Sequence, residues 1–331
     1  MRNLIKLYLV LCLGLSSAYS HAEDLEAIAL LEKMGVAAKK LDYDGVFTYQ
    51  TGTKLQAIRI IHKTNSKGEV ERLLSLNGAA RELVRTNDIV TCIFPEGKQV
   101  NVDRRPLGRG FPSDLLSRLG SATPYYEITL GEEARVADRK AKKLLVTPSD
   151  NYRYGYHLWV DEETDLLLQS NLLADGGVVL ESFAFSSIKL GVEIPDSLLQ
   201  PHIRGEELTW TRNKTEPVNN LKNKEDALKQ GLVWEVDWLP EGFMLVAEQS
   251  RRKLQDGTLV EQRVYSDGLS SLSFFIEKRN QGHRHLEGVS AMGAINAFGL
   301  IAPIHFLTVV GQVPARTVEK VGLSIKLVNY D

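Results

Sequence analysis

The sequence lacks a long apolar run near its N-terminus. Residues 7–15 are apolar, but this run is shorter than the roughly 20 apolar residues that a membrane-spanning helix needs. Arg2 and Lys6 precede this run, and the small residues Ser20 and Ala22 follow it. A positive segment, a short apolar segment and a small-residue cleavage site, in this order, are typical of a secretory signal peptide. The sequence therefore predicts a signal peptide at residues 1–22, cut after Ala22, and an exported mature chain.

Cysteine is also scarce, because the chain contains only Cys12 and Cys92. Cys12 lies inside the predicted signal peptide, so Cys92 alone would remain. One thiol can form neither an internal disulfide nor a cysteine metal cage. The apolar run 89–94 around Cys92 favours a buried thiol in a strand, since a reactive thiol needs a cationic and partly exposed setting.

An excess of positive charge is missing too. The 40 Lys and Arg residues face 42 Asp and Glu residues, so the net charge of −2 offers no basic field for nucleic acid. The sequence motifs of zinc proteases, serine hydrolases, P-loop proteins and Cys-x-x-Cys proteins are absent. His283 and His285 alternate, but two ligands are too few for a metal site. We therefore predict a binding protein, not an enzyme, with no metal and no cofactor.

The chain is long enough for two domains. Residues 201–224 are rich in Pro, Asn and charged side chains and show little apolar periodicity, which indicates a linker. We predict an N-terminal domain at 23–205, a linker at 206–222 and a C-terminal domain at 223–331.

The N-terminal domain begins with a helical pattern over residues 25–41 and continues with short strands. Strands are predicted at 43–49, 55–62, 69–76, 89–94, 125–130, 143–147, 154–160, 166–173 and 178–185. Connections this short cannot hold a parallel crossover, so we expect one large antiparallel sheet, either curved or forming an open barrel. The predicted fold class is mainly β with α.

The C-terminal domain is predicted to be smaller and α+β. A short helix is expected at 225–230, and strands at 234–237, 244–254, 259–265, 271–277 and 305–310. A final helix begins near Pro314, a residue suited to a first helical turn. Its buried stripe is predicted to contain Val318, Val321, Ile325 and Val328.

Large apolar residues alternate along four of the N-terminal strands. They are Phe47, Tyr49, Ile58, Ile60, Leu158, Val160, Phe183 and Phe185. Alternation places both members of each pair on one face of the sheet. This face is either part of an ordinary core or the wall of an apolar cavity for acyl chains, and the residues alone leave both alternatives open.

Basic residues cluster locally despite the acidic total. The candidates for contact with an anionic ligand or an acidic partner are Arg104, Arg105, Arg251, Arg252 and Lys253. Solvated strand ends and loops are an equally good explanation for any one of these clusters.

Six segments in chain order carry a family resemblance. They are 43–49, 158–161 with Thr164 and Leu166, 238–243, 265–271, 292–296 and 308–314. With these segments behind a signal peptide, the chain resembles the MucB/RseB family of periplasmic regulators of the envelope-stress sigma factor. Gln312 departs from the family pattern, in which an acidic residue is common at this position.

The resemblance implies an N-terminal domain similar to the LolA/LolB lipoprotein carriers, an open β-barrel covered by helices. It also implies a periplasmic location and binding to the periplasmic domain of a transmembrane anti-sigma factor of the RseA/MucA type. Such binding would shield the anti-sigma factor from site-one proteolysis. Lipopolysaccharide or lipoprotein acyl chains would release it, and the chain would form homo-oligomers.

From this resemblance we expect a two-ligand switch, in which residues 23–205 sense lipid and residues 223–331 bind the anti-sigma factor. The alternative is a periplasmic lipid or lipoprotein carrier without a regulatory partner.

Overall fold

The computed structural model describes residues 25–66, 68–87, 89–94, 99–104, 123–201, 209–212, 234–252, 257–279 and 285–327. Helix α1 covers residues 25–40. It is followed by β1 (Tyr43–Thr51), β2 (Lys54–Asn65), β3 (Gly68–Ser75), β4 (Glu82–Thr86), β5 (Ile89–Phe94), β6 (Gln99–Arg104), β7 (Tyr126–Leu130), β8 (Ala134–Val136), β9 (Arg139–Pro148), β10 (Gly155–Asp161), β11 (Leu167–Leu173), β12 (Val179–Leu190) and β13 (Thr209–Arg212).

These strands form one 13-stranded sheet in the order β13-β6-β5-β4-β3-β2-β1-β12-β11-β10-β9-β7, with β8 also paired to β9. The pairs are antiparallel except for β13 and β6, which run parallel. Among the described residues the order begins at β13 and ends at β7, so the sheet is open. The mainly β fold class is confirmed, and β13 lies within the segment predicted as a linker.

Helix α1 packs across one face of this sheet. Its buried side chains recur at helical spacing and include Ala27, Leu31, Met34 and Ala38. Burial of a side chain of the size of Leu31 or Met34 stabilises the fold by about 1.5–3 kcal/mol. The helix therefore covers the sheet face that the alternating residues of the neighbouring strands create.

Strand β4 was not predicted because its side chains do not alternate as apolar and polar. Glu82 and Arg85 are nevertheless buried. Glu82 accepts a hydrogen bond from Arg72 Nε at 2.5 Å, and Arg85 donates to Glu71 at 3.1 Å. Buried charges are tolerated when they are paired in this way, and the pairing partners come from the neighbouring strand β3.

The described C-terminal part is α+β, as expected, and the short helix predicted at 225–230 lies outside the described residues. Its strands are β14 (Trp234–Val236), β15 (Met244–Arg252), β16 (Leu259–Ser266), β17 (Ser271–Lys278), β18 (Gly288–Met292), β19 (Ile295–Ile301), β20 (His305–Gly311) and β21 (Ile325–Leu327), and its helix α2 spans Ala315–Leu323. Six strands form a sheet in the order β15-β16-β17-β20-β19-β18, and β14 pairs with β21.

The buried stripe predicted for the last helix is correct only in part. Val318 and Val321 are fully buried in the C-terminal core. The helix ends at Leu323, however, and Ile325 pairs with Val236 in the two-stranded sheet. Helical spacing continues through Ile325 in the sequence, but strand pairing decides its conformation. Val328 lies outside the described residues.

Candidate functional site

The eight apolar residues singled out in the sequence lie together on one face of the large sheet, here called the apolar sheet face. Phe47 pairs across strands with both Ile58 and Phe185, and Tyr49 pairs with Phe183. The aromatic rings contact each other edge to face, with centroids 4.8 Å apart for Phe47 and Phe183. All eight belong to or pack against the same hydrophobic cluster.

The apolar sheet face is a packed layer beneath α1. Six of its side chains are buried, and Tyr49 and Ile58 are partly buried against the same cluster. An open groove of about 520 Å³ lies on the other side of the helix, between α1 and the turn at Thr164 and Asp165. Helix α1 therefore covers the part of the apolar sheet face against which it packs.

The described part of the chain includes three of the five basic candidates, and they lie in two different sheets. Arg104 ends β6 in the N-terminal sheet, whereas Arg251 and Arg252 end β15 in the C-terminal sheet. Arg105 and Lys253 lie outside the described residues.

A cluster of charged and aromatic residues joins the two sheets, and sequence reasoning missed it as a site. We call it the domain junction. At its centre the buried Arg153 donates from Nε to Asp267 Oδ2 at 2.6 Å. The Glu241 carbonyl and the Asp150 carboxylate also accept hydrogen bonds from this guanidinium.

The Arg153–Asp267 pair is satisfied on all sides. Oδ1 of Asp267 accepts from the backbone N–H groups of Leu269 and Ser270, at 2.9 and 2.7 Å. The Tyr126 hydroxyl donates to Oδ2 of Asp267 at 3.3 Å. Burial opposes the charge on Arg153, but the hydrogen bond and charge of Asp267 raise its pKa. Burial, followed by the Asp267 charge, raises the pKa of Tyr126 well above its usual value.

Aromatic rings complete the surroundings of Arg153. Its guanidinium carbon lies 5.1 Å from the ring centroids of both Tyr125 and Phe243, within range of a cation–π interaction. Gly242 has a φ of +84°, and a Cβ there would lie 2.1 Å from the Tyr125 ring. A glycine is needed at this position because the turn presses its backbone against the N-terminal domain.

Further polar contacts of the domain junction come from β1, β12 and the segment before α2. Gln312 Nε2 donates to Glu181 Oε2 at 3.0 Å, and Tyr49 also hydrogen-bonds to Glu181. Burial raises the pKa of the Glu181 carboxyl. Asn296 Nδ2 donates to the Tyr154 hydroxyl at 3.0 Å.

Helix α2 closes the other side of the domain junction. Thr317 donates to the Tyr152 carbonyl at 2.9 Å, and Lys320 Nζ donates to the Tyr152 hydroxyl at 2.7 Å. The same ammonium lies 3.9 Å from the Trp238 ring centroid. The two domains therefore meet through oriented polar and charged contacts, in addition to the apolar packing of Ala294 and Leu269 against the N-terminal core.

The family segments quoted from the sequence carried the signal that could have located this junction. Segments 238–243, 265–271, 292–296 and 308–314 all contribute to it, through Glu241, Asp267, Asn296 and Gln312. Their partners in the N-terminal domain, such as Arg153, lie outside the family segments, so the sequence did not single them out.

Within the described residues, no group of three or more His, Cys, Asp or Glu side chains is placed to hold a metal ion. The same part of the chain contains no helix of the length and apolar character required to cross a membrane.

In the residues that the structure describes, an open sheet covered by α1 is joined through the domain junction to a second sheet, which defines a two-domain, mainly β protein. Within this class the chain belongs to the MucB/RseB family. The family's N-terminal domain matches residues 26–203, and its C-terminal domain matches residues 229–326.

Individual relatives agree with this assignment. The chain is 32% identical to the sigma factor AlgU regulatory protein MucB of Pseudomonas aeruginosa, with 96% of each protein covered. It is 25% identical to the sigma-E factor regulatory protein RseB of Escherichia coli, with 90% of each covered. The P. aeruginosa MucA/MucB complex matches with a TM-score of 0.72 and 28% identity, over 92% of this chain and 100% of that chain.

A second solved structure, MucB in complex with MucA(peri), matches with a TM-score of 0.68 and 30% identity, again over 92% of this chain and 100% of that chain.

Proposed function

We propose that this chain is a periplasmic regulator that binds the periplasmic region of a transmembrane anti-sigma factor and so restrains an envelope-stress sigma factor. The observation that carries the proposal is the likeness, over 92% of the chain, to MucB in complex with MucA(peri). The curated relatives support it, since they are named as regulatory proteins of AlgU or sigma-E. The bound chain would cover the anti-sigma factor and keep it from site-one proteolysis.

Release by lipid forms the second part of the proposal. The apolar sheet face offers acyl chains of lipopolysaccharide or lipoprotein the same contacts that it now makes with α1. Lipid would therefore bind by displacing α1 from the sheet. Arg104, Arg105, Arg251, Arg252 and Lys253 are proposed to attract lipid phosphates or acidic groups of the partner.

The domain junction would couple the two ligands. Tyr49 belongs to the apolar sheet face and also hydrogen-bonds to Glu181, which Gln312 of the C-terminal domain holds. Acyl chains that shift Tyr49 would disturb this contact and alter how the domains meet. If the anti-sigma factor binds one arrangement of the domains better and lipid binds another, each ligand must weaken the binding of the other.

A titration tests this proposal. Residues 23–331 are titrated with the periplasmic region of the anti-sigma factor encoded in the same genome, with and without lipopolysaccharide. We expect tight binding that lipopolysaccharide weakens. Binding that is indifferent to lipid would leave a protease shield without this trigger. Retention of lipid without anti-sigma binding would support the carrier alternative.

A further inference from the structure

In the described part of the chain, β15 is an edge strand of the six-stranded C-terminal sheet. Among the described residues it pairs only with β16. Met244, Leu245 and Val246, here called the apolar edge segment, are exposed by 70%, 48% and 53%. Natural edge strands are normally protected by charge, proline or short length, so three consecutive exposed apolar residues indicate a surface that a partner covers.

The rest of β15 differs from this segment in chemistry. Glu248 accepts a hydrogen bond from Arg263 Nε at 2.8 Å, and Gln249 donates to Gln262 at 2.6 Å. These polar side chains therefore already form hydrogen bonds with side chains of the neighbouring strand β16. Strand β15 is therefore divided into an apolar half and a polar half.

The apolar edge segment begins at the domain junction. The residue before it, Phe243, is buried against the Arg153 guanidinium. The register between β15 and β16 shifts between Leu245 and Ala247, which marks a bulge at Val246. Bulges re-aim an edge and are frequent next to functional sites. A ligand bound along this edge would therefore lie next to the domain junction.

We infer that the apolar edge segment is a docking site for an extended peptide that adds a strand to the C-terminal sheet. A free edge offers backbone N–H and C=O groups in the spacing of a strand, and another extended backbone is the ligand that can pair with them in series. The exposed side chains would contact apolar residues of the peptide. The inference rests on the proposed function, because the peptide we assign is a segment of the anti-sigma factor's periplasmic region.

A second copy of the chain fits this edge less well. Antiparallel pairing of two β15 strands about their centre would set the apolar edge segment against the end that carries Arg251 and Arg252. It would also bring two Glu248 carboxylates together. Apolar residues opposite charged ones, and like charges opposite each other, both destabilise strand pairing.

Hydrogen exchange on residues 23–331 tests the site directly. It is measured alone and with the periplasmic region of the anti-sigma factor from the same genome. We expect the amides of residues 244–250 to exchange more slowly in the complex, while those of β18, the opposite edge, are unchanged. Protection of residues 244–250 that depends on protein concentration without the partner would assign the edge to a second copy and overturn the inference.

A matched pair of variants gives an independent measurement. Leu245→Lys/Val246→Lys places charge on the apolar edge segment, and Val289→Lys/Ser290→Lys does the same on β18, where both side chains are exposed. Urea unfolding checks that both variants fold like wild type. We expect the first to weaken binding of the periplasmic region by about tenfold or more, or about 1.4 kcal/mol, and the second to leave it within about twofold.

The outcomes separate the two proposals. If wild type binds the periplasmic region and the β15 variant binds equally well, with no protection at residues 244–250, the docking site is wrong and the regulatory function stands. If wild type does not bind the periplasmic region at all, the regulatory function fails, and the docking site with it.

Discussion

At the scale of single residues, the Arg153 guanidinium and the Asp267 carboxylate meet with side chains that are 1% and 0% exposed. We expect Arg153→Met to lower the free energy of unfolding by about 3–5 kcal/mol, because it leaves a buried carboxylate without its charged partner. Urea denaturation followed by tryptophan fluorescence measures this loss.

A second ion pair between the domains provides the control. Arg316 and Asp175 also connect α2 to the N-terminal domain, but their side chains are 49% and 54% exposed. Exposed pairs contribute about 0–1 kcal/mol, so Arg316→Met should lower the free energy of unfolding by no more than that. Equal losses of unfolding free energy in the two variants would show that burial of the Arg153–Asp267 pair adds nothing to its contribution to stability.

Gln312 leads to a prediction about pH. Burial raises the pKa of Glu181, so part of the stability is lost as pH rises from the usual carboxyl pKa towards the higher folded value. Gln312→Glu would replace the hydrogen-bond donor by a second carboxyl. We expect a loss of about 1–3 kcal/mol at pH 7 that shrinks at pH 5, where one of the two carboxyls can hold a proton.

Thermal unfolding at the two pH values measures this effect. In the double variant Gln312→Glu/Glu181→Gln only one carboxyl remains, so the additional pH dependence should disappear. Its persistence would mean that Glu181 is not the group that opposes the new carboxyl.

At the scale of secondary-structure elements, α1 stabilises the fold and, in the proposed function, also competes with acyl chains for the apolar sheet face. Met34 is fully buried between α1 and the sheet, whereas Leu25 on the same helix is 66% exposed. Met34→Ala should lower the free energy of unfolding by about 2–5 kcal/mol. If acyl chains bind by displacing α1, the same variant should bind lipopolysaccharide more tightly, because the helix is easier to remove.

Leu25→Ala is the matched control for α1 and should change neither stability nor lipid binding measurably. Scanning calorimetry and a lipopolysaccharide titration on both variants check the two effects. Weaker lipid binding by Met34→Ala would contradict the displacement of α1 and would favour a site elsewhere on the domain.

At the scale of the whole molecule, the proposed switch must obey reciprocity. If lipopolysaccharide weakens binding of the anti-sigma periplasmic region by some factor, the periplasmic region must weaken lipopolysaccharide binding by the same factor. We expect a factor between about 5 and 150, and a smaller one in Arg153→Met. Titration in both orders measures it, and unequal factors would rule out a single linked equilibrium.

Much of the architecture was predictable because it depends on local periodicity. Alternation along β1 places Phe47 and Tyr49 on one face of the sheet whatever the partner strand is. Strand β4 was missed because Glu82 and Arg85, which are buried, interrupt the alternation of apolar and polar residues. Their burial is made favourable by Arg72 and Glu71 on the adjacent strand, and no local pattern reports such partners.

The sequence by itself determined the mainly β fold class, the helix at residues 25–40 and the family to which the chain belongs. The strands and the helix depend on the spacing of residues along short stretches, and the family depends on segments that follow one another in order along the chain. Tertiary structure alone decided that the apolar sheet face is covered by α1 and that Arg153 meets Asp267, 114 positions away. An arginine or an aspartate attracts any opposite charge, so the residue types alone do not show which residues will pair. Only the folded backbone brings these two together and excludes the water that would otherwise separate them.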